Sequence, residues 1–161
     1  MAKRPSFDYT PRVEDRHVAA FRGPLLDWFE QVRRPMPWRE TDAKGHRAAY
    51  RVWISEIMLQ QPRVDQATPY FERFTAAFPT VEALAAADLD AVLKQWEGLG
   101  YYSRARNLHR AAQQIVAEHD GQVPDTESAI SALPGIGPYT AAAVLSLAYG
   151  GPLAVLDGNV I

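Results

Sequence analysis

Residues 133–145 read LPGIGPYTAAAVL. Gly135 and Gly137, one residue apart, are suited to end one helix, and Pro138 opens the next at the one helical position where its missing N–H costs nothing. The segments 126–133 and 138–149 therefore read as two helices closed by a tight turn, a helix–hairpin–helix over about 126–149. Such a loop leaves backbone N–H groups bare at a helix start, where they can hydrogen-bond phosphate oxygens whatever the base sequence. That makes Gly135, Gly137 and Thr140 candidate nucleic-acid contacts. An ordinary turn between packed helices explains the loop equally well.

No charged residue lies between Ser128 and Leu156. Prolines and glycines cut this run into pieces shorter than the roughly 20 residues of a membrane span, so it reads as buried core. Upstream, Val18, Phe21, Leu25, Leu26, Phe29 and Val32 recur at spacings of one, three and four and mark an amphipathic helix that contains Pro24. Further helices are expected over about 49–60, 64–77 and 102–119, with two short ones capped by Thr80 and Asp88, the second stopped by Gly98. Nothing alternates with period two and nothing repeats, so the fold class is all-α.

The 161 residues are 47% apolar, enough for a genuine core. Cysteine is absent, which excludes a disulfide framework, a thiolate metal centre and a cysteine nucleophile built from this chain. The four histidines show no metal-ligand spacing and are expected on surfaces or helix ends. The first residues lack the apolar core of a secretory signal, which predicts a cytoplasmic protein. The net charge of −2 conceals an uneven distribution: residues 1–51 hold eleven Lys/Arg against seven Asp/Glu, the remainder six against twelve. A polyanion would therefore be held by local basic groups, backbone amides and helix N-termini rather than by a broad basic field.

Two carboxylates have apolar neighbours. Glu56 lies within WISEIML, where desolvation should raise its pKa and make it a usable general acid near neutral pH. Asp157 follows LAVL, where its carboxylate would sit close to a developing cation. The pair divides labour as in glycoside cleavage, one acid for the leaving group and one anion for the sugar cation. A lone carboxylate of this kind is more often hydrogen-bonded structure than catalyst, and the alternative for Asp157 in DGN is a simple turn. The stretch GLGYYSRARNLHRAA, residues 98–112, sets tyrosines before a helix bearing Arg104, Arg106 and Arg110, which suits base stacking and phosphate pairing or else a solvated basic face. Gln60 and Gln61 at a helix end are surface amides, or groove-probing amides if DNA lies there.

Together, PWR (37–39), VWISEIMLQQ (52–61), GLGYYSRARNL (98–108), LPGIGPYTA (133–141) and LDGNV (156–160) resemble the adenine DNA glycosylases of the MutY type, in order, from Pro37 to Val160. The resemblance implies a six-helix lobe with a helix–hairpin–helix, facing a second lobe that carries a four-cysteine 4Fe–4S cluster. It implies a monomeric base-excision-repair enzyme whose partner is double-stranded DNA, not a membrane, and which hydrolyses the N-glycosidic bond of adenine mispaired with 8-oxoguanine or guanine. By the same resemblance Glu56 protonates adenine N7, Asp157 stabilises the sugar cation, and Asn159 positions Asp157 or the water. Arg39 lies at the adenine pocket, while Gln61 and Tyr101 probe the duplex at the lesion. Tyr139 falls where the related endonuclease III enzymes carry a Schiff-base lysine, so no strand cutting is implied.

The cluster cysteines, which in the family follow LDGNV, do not occur here, so no cofactor is expected in this chain although full-length members carry the cluster. The domain reading is an N-terminal segment 1–17 that packs on the second lobe in the family, a helical domain 18–150, and the start of a truncated second lobe at 151–161. A chain with one wall of the cleft is expected to bind DNA weakly and turn over little. The alternatives are a helix–hairpin–helix binding module without catalysis and an endonuclease III-like pyrimidine glycosylase.

Overall fold

The structure, a computed structural model, describes residues 15–41 and 48–155. Its elements are α1 (Asp15–Val32), a 3-10 turn (Pro37–Arg39), α2 (Ala49–Met58), α3 (Val64–Ala77), α4 (Val81–Ala86), α5 (Leu89–Trp96), α6 (Ser103–Glu118), α7 (Glu127–Ser131) and α8 (Pro138–Tyr149). No strand occurs among the described residues. The all-α reading holds, and the helix bounds fall within a few residues of the periodic segments.

Capping chemistry sets several ends. Thr80 accepts a hydrogen bond from the Ala83 N–H at 3.2 Å to start α4, and Asp88 accepts one from the Asp90 N–H at 2.9 Å to start α5. Gly150 closes α8 in the left-handed region with φ 69°. The turn at Pro37–Arg39 escapes the sequence reading, because three residues carry no measurable period.

The chain divides into two compact units, Met1–Pro35 and Met36–Ile161, so α1, expected within the main domain, belongs to the first. On α1 the apolar stripe from Val18 to Val32 is exposed, Phe21 by 68%. The second unit holds seven α-helices among the described residues, one more than the six expected, α7 being a single five-residue turn.

Within that second unit α2 is the central element, with Val52, Trp53, Ile54, Ser55, Ile57 and Met58 all buried. It packs against α8, α3, α6 and the 3-10 turn, while α6 covers α4 and α5. Rings lock this core edge to face: Trp38 on Phe71 at 5.1 Å, and Phe74 on both Phe78 at 5.0 Å and Trp96 at 5.9 Å. The buried Ser55 hydroxyl is satisfied by the Val52 carbonyl at 2.7 Å. One expectation is corrected: His109 is buried within α6, 6% exposed, because the face it shares with Ala105 and Ala112 points into the core. Among the described residues, no helix is long and apolar enough to cross a membrane.

Candidate active site and nucleic-acid interface

Glu56 interrupts the most buried helix of the protein. Its neighbours Ser55 and Ile57 face the core, whereas its own side chain is half-buried. Desolvation raises its pKa, and the positive charge of Arg39 acts in the opposite direction without cancelling the rise. The protein therefore holds Glu56 protonated to higher pH than an ordinary carboxylate.

Arg39 reaches Glu56 because the turn that carries it is pinned on both sides. The Trp38 ring is buried against Phe71, and the Arg51 guanidinium donates to the Pro37 carbonyl at 2.9 Å. Arg51 also lies over the Phe71 ring at 5.0 Å and pairs with Glu40 at 3.6 Å. PWR is thus an anchored loop in which the middle residue supplies the anchor and the last supplies the charge.

Beside the acid helix, a pocket opens between Trp53 and Ile57 of α2, Gln60 just beyond it, Arg104 and Asn107 of α6, and Pro134 and Gly135 of the hairpin. Gly135 has φ +78°, and a Cβ there would lie 2.8 Å from the Asn107 Cβ, so only glycine lets the hairpin approach α6 this closely. Gly137 caps α8 with an extended backbone, and Pro138 occupies its first turn as expected. The N–H groups of that first turn have no acceptor within the helix. They and the helix dipole make this end an anion-binding position. Thr140 is only 3% exposed, so its hydroxyl packs into the core and its contribution to such a contact narrows to its backbone. Tyr139 is half-buried on the same turn.

The loop between α5 and α6 presents Tyr101, 64% exposed and at φ 47°, a left-handed backbone that a tyrosine rarely adopts. From sequence, Arg104, Arg106 and Arg110 suit either phosphate pairing or a solvated basic face. Instead Arg104 turns inward, donating to the carbonyls of Ile57 at 2.9 Å and Leu99 at 3.2 Å and lying over the rings of Trp96 and Tyr101. Arg106 and Arg110 stay on the surface. The signal for this was present: Arg104 stands four residues before Leu108 and seven before Ala111, on the apolar face of α6. Gln60 and Gln61 are exposed just beyond the end of α2. Asp157 and Asn159 lie outside the described residues.

Residues 54–161 match the family described as "HhH-GPD superfamily base excision DNA repair protein". The chain belongs to this superfamily. This HhH-GPD chain is similar to the adenine DNA glycosylase of Homo sapiens, 46% identical over 147 residues that cover 89% of the chain and 27% of that relative. It is similar also to the adenine DNA glycosylase of Buchnera aphidicola subsp. Acyrthosiphon pisum (strain APS), 45% identical over 137 residues, covering 84% and 38%. The chain thus spans well under half the length of these curated relatives. Among solved structures it is similar to a thermostable thymine-DNA glycosylase, with TM-score 0.77, 30% identity, and 88% of this chain on 63% of that one. A trapped endonuclease III–DNA covalent intermediate shares the fold alone, with TM-score 0.73, 20% identity and coverages of 92% and 66%.

The superfamily fold raises the question of a 4Fe–4S cluster, and the residues of this chain do not fit one. The sequence has no cysteine to supply a thiolate, and no group of three or more His, Asp or Glu among the described residues is placed to hold a metal ion.

Proposed function

We propose that this HhH-GPD chain acts on adenine in duplex DNA, mispaired with 8-oxoguanine or guanine, by acid-assisted hydrolysis of the N-glycosidic bond after the base has left the stack. The observation that carries the reading is Glu56, a half-buried carboxyl group whose pKa is raised by burial, on the helix that borders the hairpin pocket. The relatives named adenine DNA glycosylase support the choice of base.

In this mechanism, the first turn of α8 and the Gly135 loop hold backbone phosphates, which fixes register without reading sequence. Tyr101 and Gln61, both exposed, enter the stack and offset the few kcal/mol that base extrusion costs, least at a mismatch. The Glu56 proton passes to adenine N7. The bond from C1′ to N9 then breaks with its electron pair going to the purine, leaving a sugar cation that the Asp157 carboxylate stabilises. Water, oriented with the help of Asn159, adds to C1′ and gives its proton to the Glu56 carboxylate left by the first step, which restores the acid. Tyr139 offers no amine, so no Schiff base forms and the strand stays uncut. A cluster of the kind expected in longer relatives takes no ligand from this sequence.

The test is single-turnover release of adenine, under excess protein, from a duplex with A opposite 8-oxoguanine, comparing the chain with Glu56→Gln. Release that the substitution abolishes supports the assignment. Duplex binding without release by either form favours a helix–hairpin–helix binding module. Release of thymine or of an oxidised pyrimidine in preference to adenine overturns the choice of base, an arm that the thymine-DNA glycosylase neighbour makes worth running.

A further inference from the structure

We infer that Arg104 is a positioning residue that couples the duplex-probing loop to the acid-bearing helix, an inference that rests on the glycosylase reading above. One guanidinium serves both elements. Its Nη1 donates to the carbonyls of Ile57 at 2.9 Å and Met58 at 3.3 Å, the residues immediately following Glu56. Its Nη2 donates to the carbonyls of Leu99 at 3.2 Å and Gly100 at 3.5 Å, the residues immediately preceding Tyr101. The Trp96 and Tyr101 rings lie 5.4 Å and 5.8 Å from its central carbon.

Each contact has a physical reason. The last carbonyls of α2 carry the negative end of the helix dipole and have no N–H donors within the helix, so a half-buried cation there is favourable. The loop runs through the left-handed region at Gly98, Gly100 and Tyr101, which the glycines adopt freely and the tyrosine only under strain. Such backbone persists only where its surroundings over-determine it. Trp96 supplies a second tie by donating its indole N–H to the Gly100 carbonyl at 3.0 Å. A lysine would bring the charge without the planar fork, and so would not hold two pairs of carbonyls at once. The consequence is mechanical: when Tyr101 is pushed by a base stack, the displacement reaches the turn that carries Glu56 through one rigid group. Arg104 borders the hairpin pocket, but both its terminal nitrogens are committed to carbonyls, so it acts through Glu56 and Tyr101.

The test compares the full chain with Arg104→Lys, and with Arg104→Gln should the lysine variant not fold, well below the melting temperature. The expected result is duplex affinity within about threefold of the unaltered chain and single-turnover adenine release at least tenfold slower. Tyr101→Ala should slow the unaltered chain but add nothing further in the Arg104→Lys background, since both break the same coupling. Amide hydrogen exchange should show residues 99–103 and 57–61 losing protection together while α4 does not. Release at the unaltered rate, additive effects of the two substitutions, or unchanged exchange in either segment would overturn the coupling. If the unaltered chain releases no adenine, the glycosylase reading fails by itself. The exchange data then decide the clamp alone, joint loss of protection supporting it and unchanged protection sinking it.

Discussion

Replacing Gly135 by alanine tests whether the hairpin's close approach to α6 is what the PGIGP sequence encodes. Two independent terms oppose the methyl group. A φ of +78° places a non-glycine residue in the left-handed region, at about 1–2 kcal/mol. The new Cβ would also lie 2.8 Å from the Asn107 Cβ, an atom fixed to the α6 backbone that no rotamer change can withdraw, so backbone must shift at about 1–3 kcal/mol. At the middle of these ranges, about 3.5 kcal/mol, the melting temperature falls by roughly 7–14 °C. Thermal unfolding followed by far-UV circular dichroism measures this directly. Asn107→Gly in the same chain removes the steric term and leaves the conformational one, so the double variant should lose less than the sum of the singles. Gly137→Ala is the control: its φ is −95°, and a Cβ there meets no atom within 4 Å. Its stability should stay within about 1 kcal/mol of the unaltered chain, entropy gained in the unfolded state offsetting a poorer cap. Equal effects at both glycines, or a Gly135→Ala change below about 0.5 kcal/mol, would refute the reasoning.

Three further outcomes follow from the site. Arg39→Met removes the charge that restrains the Glu56 pKa, so the alkaline limb of the single-turnover rate profile should move to higher pH; a shift to lower pH would contradict the assignment. Glu56→Gln should stabilise the fold at neutral pH, because a carboxyl whose folded pKa is raised contributes stability below its unfolded pKa and loses it as pH rises through the folded one. Melting curves from acid to neutral pH should therefore show the variant's advantage growing as pH rises. Trp38→Ala empties a buried ring site against Phe71 and should cost about 3–5 kcal/mol by urea denaturation, while freeing the turn that carries Arg39.

Most of the fold was legible because its helices are periodic and punctuated. Thr80, Asp88 and Gly150 mark their ends by side-chain or backbone chemistry that a sequence displays openly. Glu56 was legible as an acid because a carboxylate inside WISEIML has few ways to stay solvated. What escaped was tertiary. Arginine at 104 reads as surface charge until Trp96 and, more than forty residues upstream, the α2 carbonyls are seen to receive it. His109 looks like any helical histidine until Ala105 and Ala112 prove to be core. The proximity of Arg39 to Glu56 depends on Arg51 and Phe71 holding a three-residue turn that no local pattern announces.

For anyone wishing to evolve this scaffold toward a different base, the burial pattern of α2 decides where diversity can be introduced. Ser55 and Met58 are sealed in the core, Ile57 shows only a sliver of surface to the pocket, and Glu56 on the helix with Leu59 and Gln60 just beyond it are the more open positions at this end. A randomised library over the whole stretch would be dominated by misfolded clones, because the residues that build the reaction chamber and those that build the protein alternate along one turn. Productive variation has to come from the opposite wall, at Asn107, Pro134 and the positions beside them.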